Sequence, residues 1–199
     1  MSDRPSLREY QQNLHKRLQG DSASESTQSA RLGLLAGAEH WLIRLDEAQE
    51  VMPVGALTPV PFTKFWFRGL ANVRGNLYSV VDLASFSVNY RANPAAPQRV
   101  PTTPDARLVL IADRFHMRAA LMVERMLGLR TIQNLQPESI EPDAAGSIPW
   151  VAARWRDAEG RSWKEISMAE LVRHNDFLQA GTMTAATTIA AMTTAGPTI

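Results

Sequence analysis

Apolar and polar positions follow two different rhythms along this chain. Near the N-terminus Leu7, Tyr10, Leu14 and Leu18 recur at intervals of three and four, and Glu9, Gln12, Lys16 and Arg17 fall between them. That spacing predicts a short amphipathic helix, because residues three and four apart share one face. Its apolar stripe can lie against the body of the fold or against a partner. Residues 20–29 (GDSASESTQS) are rich in Ser and carry no apolar anchor. Such a segment cannot repay the entropy of being ordered and reads as a linker. Residues 1–30 therefore form a helix and linker, and a folded domain of residues 31–178 begins near Arg31.

Beyond the linker the rhythm changes to short apolar runs separated by turn residues: 32–35, 40–45, 67–73, 77–83, 108–112, 117–123, 127–132, 151–155 and 162–166. Runs of that length and spacing predict strands of a β-barrel or sandwich rather than a helical bundle. Gly75-Asn76 separates two of them and supplies residues that tolerate positive φ, so a hairpin is expected there. Asp157-Ala158-Glu159-Gly160 suits a second hairpin with Gly in the left-handed position. Residues 90–105 hold Pro94, Pro97, Pro101 and Pro104 and almost nothing to bury, which predicts a loop dividing the strands into an earlier and a later group. Ser167-x-x-Glu170 has the form of a capping box and is followed by Leu171, Val172, Phe177 and Leu178, so one helix should close the domain. Residues 179–199 are mostly Ala and Thr and read as a disordered tail. Strongly apolar side chains are too sparse there for a spanning helix, which needs about 20 predominantly apolar residues.

Composition narrows the function classes. A hydrophobic share of 45% and a charged share of 21% are those of a globular chain. With 21 basic and 20 acidic side chains the net charge is +1, so no excess positive field is present to hold a nucleic-acid backbone. Cysteine is absent, which removes disulfides, thiolate nucleophiles and Cys-ligated zinc together. The first twenty residues lack the continuous apolar stretch of a secretory signal, and a cytoplasmic protein is expected.

Catalytic spacings are missing as well. The chain has no Gly-x-Gly-x-x-Gly, phosphate-binding Gly-Lys-Ser/Thr, Gly-x-Ser-x-Gly or His-Glu-x-x-His motif. His15, His40, His116 and His174 are scattered, with no pair at a metal-binding interval. Asp82 and Glu124 each end a strand, where a carboxylate caps backbone more readily than it serves as a base. Lys64, Trp66, Arg68 and Arg74, and again Arg154, Trp155, Arg156, Arg161, Trp163 and Lys164, interleave cations with aromatics as single-strand-binding barrels do. In a sheet, however, Trp155 and Trp163 would be cross-strand neighbours and Arg154 and Arg156 would take the other face. A nucleic-acid-binding barrel is thus the rival of a different class, and an enzyme using Asp82 or Glu124 stands behind it.

The segment Phe67-Arg68-Gly69-Leu70-Ala71-Asn72-Val73-Arg74-Gly75, followed by a short strand ending Val81-Asp82-Leu83, resembles the hallmark of the CheW family of chemotaxis coupling proteins. Ala48-Gln49-Glu50-Val51 resembles the family's stretch before its first long loop, and Pro59-Val60-Pro61 stands ahead of Trp66 where the family has a proline turn. The likeness runs over residues 31–178. Ala71, Val73, the turn Asp113-Arg114-Phe115-His116 and the run Glu124-Arg125-Met126 depart from flagellar members. The run Ala71-Asn72-Val73-Arg74-Gly75, with the N-terminal helix, resembles more closely the PilI branch, which serves type IV pilus twitching motility; a flagellar coupling protein is the alternative within the family.

The resemblance implies a mainly β fold of two SH3-like five-stranded antiparallel barrels on a shared core, with the closing helix and the N-terminal helix outside. It implies a non-catalytic adaptor without cofactor or metal, linking the signalling domain of a chemoreceptor to the regulatory domain of a CheA-like histidine kinase. Such an adaptor is cytoplasmic and reaches membrane arrays through its partners, with no membrane insertion of its own. Carried over by position, Arg74, Asn72 and Arg68 become receptor-facing candidates. Glu50, Met52 and Gly69 become candidates for the kinase-facing edge. On β-strand alternation, Phe67, Gly69, Ala71 and Val73 share one face, and Arg68, Asn72 and Arg74 share the other as donors.

Overall fold

The computed structural model describes residues 29–88, 102–139 and 148–181. The helix expected over residues 7–18, most of the linker, most of the Pro-rich loop and the tail after Gly181 lie outside the described residues. Within them the strands run in chain order as β1 (Ala30–Ala36), β2 (Glu39–Arg44), β3 (Ala48–Pro53), β4 (Leu57–Thr58), β5 (Phe67–Val73) and β6 (Asn76–Asp82). A short helix, α1 (Leu83–Val88), precedes β7 (Arg107–Ile111), β8 (Ala119–Val123), β9 (Arg125–Thr131), β10 (Gln136–Glu138), β11 (Val151–Arg156) and β12 (Ser162–Ile166). Two helices, α2 (Met168–Arg173) and α3 (Asn175–Leu178), complete the described chain.

These strands build two six-stranded sheets, ordered β10-β11-β12-β2-β1-β9 and β3-β7-β8-β6-β5-β4. This corrects the expected five-stranded antiparallel barrels in three respects, the first being the sixth strand of each sheet. Each sheet contains one parallel pair, β2 with β12 and β6 with β8. Neither sheet closes: its two edge strands are consecutive in the chain, linked only by residues 132–135 in the first sheet and 54–56 in the second. Links so short curl each sheet back toward itself, since three residues span only about 10 Å. No strand pairing among the described residues seals either seam.

The sheets also interleave the chain. The first takes β1 and β2 from the beginning and β9 to β12 from the end, while the second takes everything between. The Pro-rich loop therefore does not separate two subdomains. It joins α1 to β7, and the strands on both of its sides belong to the second sheet.

Three apolar clusters follow from this arrangement. The central one lies between the sheets and gathers Leu34, Trp41 and Ile43 from the first, Phe67, Val81, Ile111 and Leu121 from the second, and Phe86, Trp150, Leu171 and Phe177 from the helices and loops. The other face of the second sheet covers Ala71, Val73, Tyr78, Val80, Leu108, Leu110, Ala120 and Met122. The other face of the first covers Leu42, Leu135 and Trp163. Strand β8 is buried along its whole length because Ala119, Leu121 and Val123 enter the central cluster while Ala120 and Met122 enter the second. Phe86 binds the centre together, stacked against Trp150 at 5.6 Å and edge-on to Trp66 at 5.0 Å.

Ser167 caps α2 as its sequence predicts, its hydroxyl accepting from the Glu170 N–H at 3.3 Å. The single closing helix is in fact two, because His174 takes extended backbone after Arg173 and its Nδ1 accepts from the Asp176 N–H to begin α3.

Candidate functional site

The hairpin of β5 and β6 turns through Arg74 and Gly75 alone, since Val73 and Asn76 are still paired. Both turn residues have positive φ, 51° and 85°. Two such residues in a two-residue loop make a type I′ turn, whose twist matches that of the strands it joins. The expected turn pair is thus displaced by one: Asn76 opens β6, and Arg74 leaves the strand. Asn72 fixes the tip by accepting from the Gly75 N–H through its Oδ1 at 2.9 Å.

Held in that turn, Arg74 carries a highly exposed side chain and meets Glu50 of β3 fork to fork, Nη1 to Oε2 at 2.9 Å and Nη2 to Oε1 at 2.8 Å. Strand β3 is the edge of the sheet farthest in hydrogen-bonding order from β4 and β5. The bidentate pair therefore bridges the open seam of the curled second sheet, where main-chain bonds are lacking. Nearby, Tyr78 Oη lies 3.5 Å from Gln49 Oε1, and Gln49 Nε2 donates to Asp113 Oδ2 at 3.0 Å. Met52, Val54 and Leu57 line the same seam, half-buried against the second cluster. Leu77 on β6 is 58% exposed directly opposite Asn72.

The candidate residues thus divide differently from the expectation. Arg74, Asn72, Glu50 and Met52, assigned to two separate edges, come together at one seam. Gly69 is buried at φ +119°, and a Cβ there would stand 2.2 Å from the Thr58 carbonyl oxygen. It is the glycine that lets β4 approach β5. Arg68 stands apart at the far end of β5, its side chain mostly buried, with Nη1 3.4 Å from Asp82 Oδ2 and Nη2 donating to Thr102 Oγ1 at 2.9 Å. The register slips between Phe67 and Gly69, so Arg68 is the extra residue of a β-bulge. That slip corrects the expected alternation: Phe67 turns into the central cluster while Ala71 and Val73 turn into the second.

Asp82 and Glu124 serve the backbone. Asp82 is buried, and its Oδ1 accepts from the Ser85 N–H at 3.1 Å, capping α1. Burial pushes its carboxyl above the ordinary aspartate range, against the opposing pull of Ser85 and Arg68. Glu124 Oε1 accepts from the Gly37 N–H in the β1–β2 turn at 2.8 Å. The two line a cavity of about 10 Å³ with Thr102, Thr103 and Met122, room for about one water and for no substrate.

The basic and aromatic stretches are likewise absorbed. Trp155 and Trp163 are cross-strand partners, and Trp163 is wholly buried. Lys64 pairs with Asp176, Arg156 with Glu138, Arg161 with Asp157 and Glu159, and Lys164 with Glu39. Cations that already hold carboxylates, beside tryptophans turned inward, offer no stacking platform for bases. Among the described residues no cluster of His, Asp or Glu is arranged to hold a metal ion. No helix among them is long and apolar enough to cross a membrane.

Comparison with known proteins places this geometry. The CheW-like domain family matches residues 32–176. Protein PilI of Pseudomonas aeruginosa is 26% identical over 156 residues, which cover 77% of this chain and 82% of that protein. Among solved structures, the scaffolding protein TtCheW from Thermoanaerobacter tengcongensis shares the fold, with a TM-score of 0.58 at 16% identity over 74% of this chain and 94% of that one. The family match spans well over half of the residues, from the middle of β1 to α3, and the chain therefore belongs to the CheW-like domain family, within which it is similar to PilI.

Proposed function

We propose that the protein is a non-catalytic adaptor that couples the signalling domain of a chemoreceptor to the regulatory domain of a CheA-like histidine kinase, in control of type IV pilus twitching. The observation that carries this reading is the exposed Arg74–Glu50 pair across the seam of the second sheet. A guanidinium fork carried on a type I′ turn is shaped for planar polar groups, and it is more weakly hydrated than an ammonium. Beside it, Met52, Val54, Leu57 and Leu77 supply apolar surface. A charged fork next to a small apolar strip is the composition of a protein-binding centre. Arg74 and Asn72 face the receptor in this reading. Glu50, Met52 and the β4–β5 edge that Gly69 permits face the kinase. The likeness to PilI supports the pilus pathway, and recruitment to membrane arrays passes through the partners.

Binding of the purified Arg74→Ala variant to receptor signalling-domain and kinase regulatory-domain fragments, each measured separately, tests the reading. The pair is exposed and contributes at most about 1 kcal/mol to folding, so the variant should melt close to the parent. Its dissociation constant for the receptor fragment should rise tens-fold, the equivalent of about 2 kcal/mol. Kinase binding should weaken less, because Met52 and the β4–β5 edge are untouched and only Glu50 loses its partner. Unchanged affinity for both fragments in a folded variant would overturn the assignment.

A further inference from the structure

The first sheet carries a second feature that the Arg74 seam does not use. A cleft of about 210 Å³ opens where the end of β9 and the following turn meet the β11–β12 hairpin, lined by Leu129, Arg130, Thr131, Asn134, Leu135, Asp157, Ala158 and Glu159. Its one basic lining residue is Arg130. The centre of that guanidinium lies 5.1 Å from the centroid of the Trp163 ring. Gly33 makes room for this stack: a Cβ at Gly33 would stand 3.2 Å from Trp163 Cζ3 and 3.4 Å from Arg130 Cγ. Trp163 is fixed in turn by donating Nε1–H to Asp157 Oδ2 at 2.9 Å, with the His40 ring packed against it at a tilt, centroids 4.9 Å apart. Arg130 is thus held in place by packing, on an aromatic ring that is itself immobilised.

What the arginine lacks is an anion. Its Nε is buried without a hydrogen-bond partner, and among the described residues its side chain forms no ion pair. The two rim carboxylates are already committed. Asp157 accepts from the Glu159 and Arg161 N–H groups, from Arg161 Nε and from Trp163 Nε1, and Glu159 Oε2 accepts from Arg161 Nη2 at 2.7 Å. The buried Nε is closed to the cleft, so an anion there would meet the guanidinium through its outer N–H groups, whose charge no carboxylate among the described residues balances by an ion pair. The remaining lining supplies hydrogen-bonding groups, Thr131 and Asn134, and a short apolar wall, Leu135 and the 64% exposed Leu129.

We infer that this cleft is a binding site for a carboxylate on a short apolar stem, with Arg130 as the charge partner and Thr131 and Asn134 as orienting groups. The volume suits one acidic side chain or one small organic acid and nothing larger. The inference does not depend on the adaptor reading, because none of these residues belongs to the second sheet.

Amide and indole N–H spectra of the full chain, titrated in one arm with glutarate and in another with a blocked acidic peptide, test it. Saturable shifts at Thr131, Asn134, Ala158 and the Trp163 indole are expected, with at least a tenfold loss of affinity in Arg130→Gln and retention in Arg130→Lys. Arg130→Gln keeps most of the stem that packs over Gly33, and an unchanged melting temperature confirms that only the charge was removed. Tighter binding of the peptide identifies a protein segment as the natural occupant, and equal or tighter binding of glutarate identifies a free acid; both support the site. Absence of saturable shifts with either probe, or equal affinity in Arg130→Gln, would overturn it.

Discussion

Two glycines in the same hairpin perform different physical tasks, and substitution separates them. Gly75 has φ 85° with nothing within 4 Å of its would-be Cβ, so Gly75→Ala meets only backbone strain, about 1 kcal/mol. Gly69 combines φ +119° with a would-be contact of 2.2 Å to a carbonyl, so Gly69→Ala must displace β4 and should destabilise by about 3 kcal/mol or more. Chemical denaturation of the two variants checks the order, and a Gly69 variant milder than the Gly75 one would show that β4 is not seated as described. The sequence marked Gly75 as a turn residue and Gly69 as a position in a strand motif. It could not rank the two, because the bulge at Arg68 that brings Gly69 under Thr58 is a pairing slip with no composition of its own.

Glu47 offers a pH test at the same scale. It sits in the turn between β2 and β3, where the chain passes from one sheet to the other, and it is buried with Oε2 unpartnered. Burial pushes its carboxyl up, with Asp46 and Glu165 adding to the rise and Arg44 and Arg114 opposing it. A carboxyl whose folded pKa exceeds its unfolded value, about 4.3, contributes stability that is complete below that value and lost as pH climbs through the folded one. Glu47→Gln has no such titration. The melting temperature of the variant minus that of the parent should therefore increase from pH 4 upward and level off once the parent's carboxyl has ionised. A flat difference would mean that the Arg44 and Arg114 guanidiniums cancel the effect of burial, and a falling one that they outweigh it.

At the level of elements, legibility followed apolar content. Every strand with a run of apolar residues was visible in the sequence, whereas β3, β4 and β10 were not. Strand β10 is Gln-Pro-Glu on an edge, β4 has two residues, and β3 interleaves Gln49 and Glu50 with half-buried Val51 and Met52. Edge strands need fewer apolar residues because only one side is paired, and their polar character guards against further pairing. The candidate site suffered most from this, since Glu50 was known only as a position in a motif and its strand, and so its meeting with Arg74, was not. Capping was more legible, because it is written locally. Ser167→Ala should lower stability by about 1 kcal/mol, the usual loss of a helix N-cap, since α2 carries Met168, Leu171 and Val172 into the central cluster. Equal denaturation midpoints for variant and parent would show that the 3.3 Å bond to the Glu170 N–H contributes nothing.

For the whole molecule, the order of strands matters more than their number, and it was the least legible property. Nothing in a local run records that β12 lies parallel to β2, more than a hundred residues away in the chain, or that β8 lies parallel to β6. The Pro-rich segment misled about topology, because a boundary in composition is not a boundary between sheets: β6 before it and β7 after it belong to the same sheet. This difference is measurable. If the loop joined two autonomous barrels, a chain cut within residues 89–101 would yield halves that fold separately and drift apart. In the observed topology each half lacks partners for its own strands: residues 29–88 leave β3 without β7 and β2 without β12, and residues 102–181 leave β8 without β6 and β9 without β1. The central cluster likewise draws Trp41, Phe67 and Phe86 from one half and Ile111, Leu121 and Trp150 from the other. A chain carrying a site-specific protease sequence in that loop, once cut, should therefore elute as one particle under native conditions and separate only in denaturant. Each half isolated in denaturant and returned to buffer alone should lack the near-ultraviolet signal of packed tryptophans, and mixing the halves should restore it. Halves that regain that signal unaided would show that the interleaved sheets are not needed for folding.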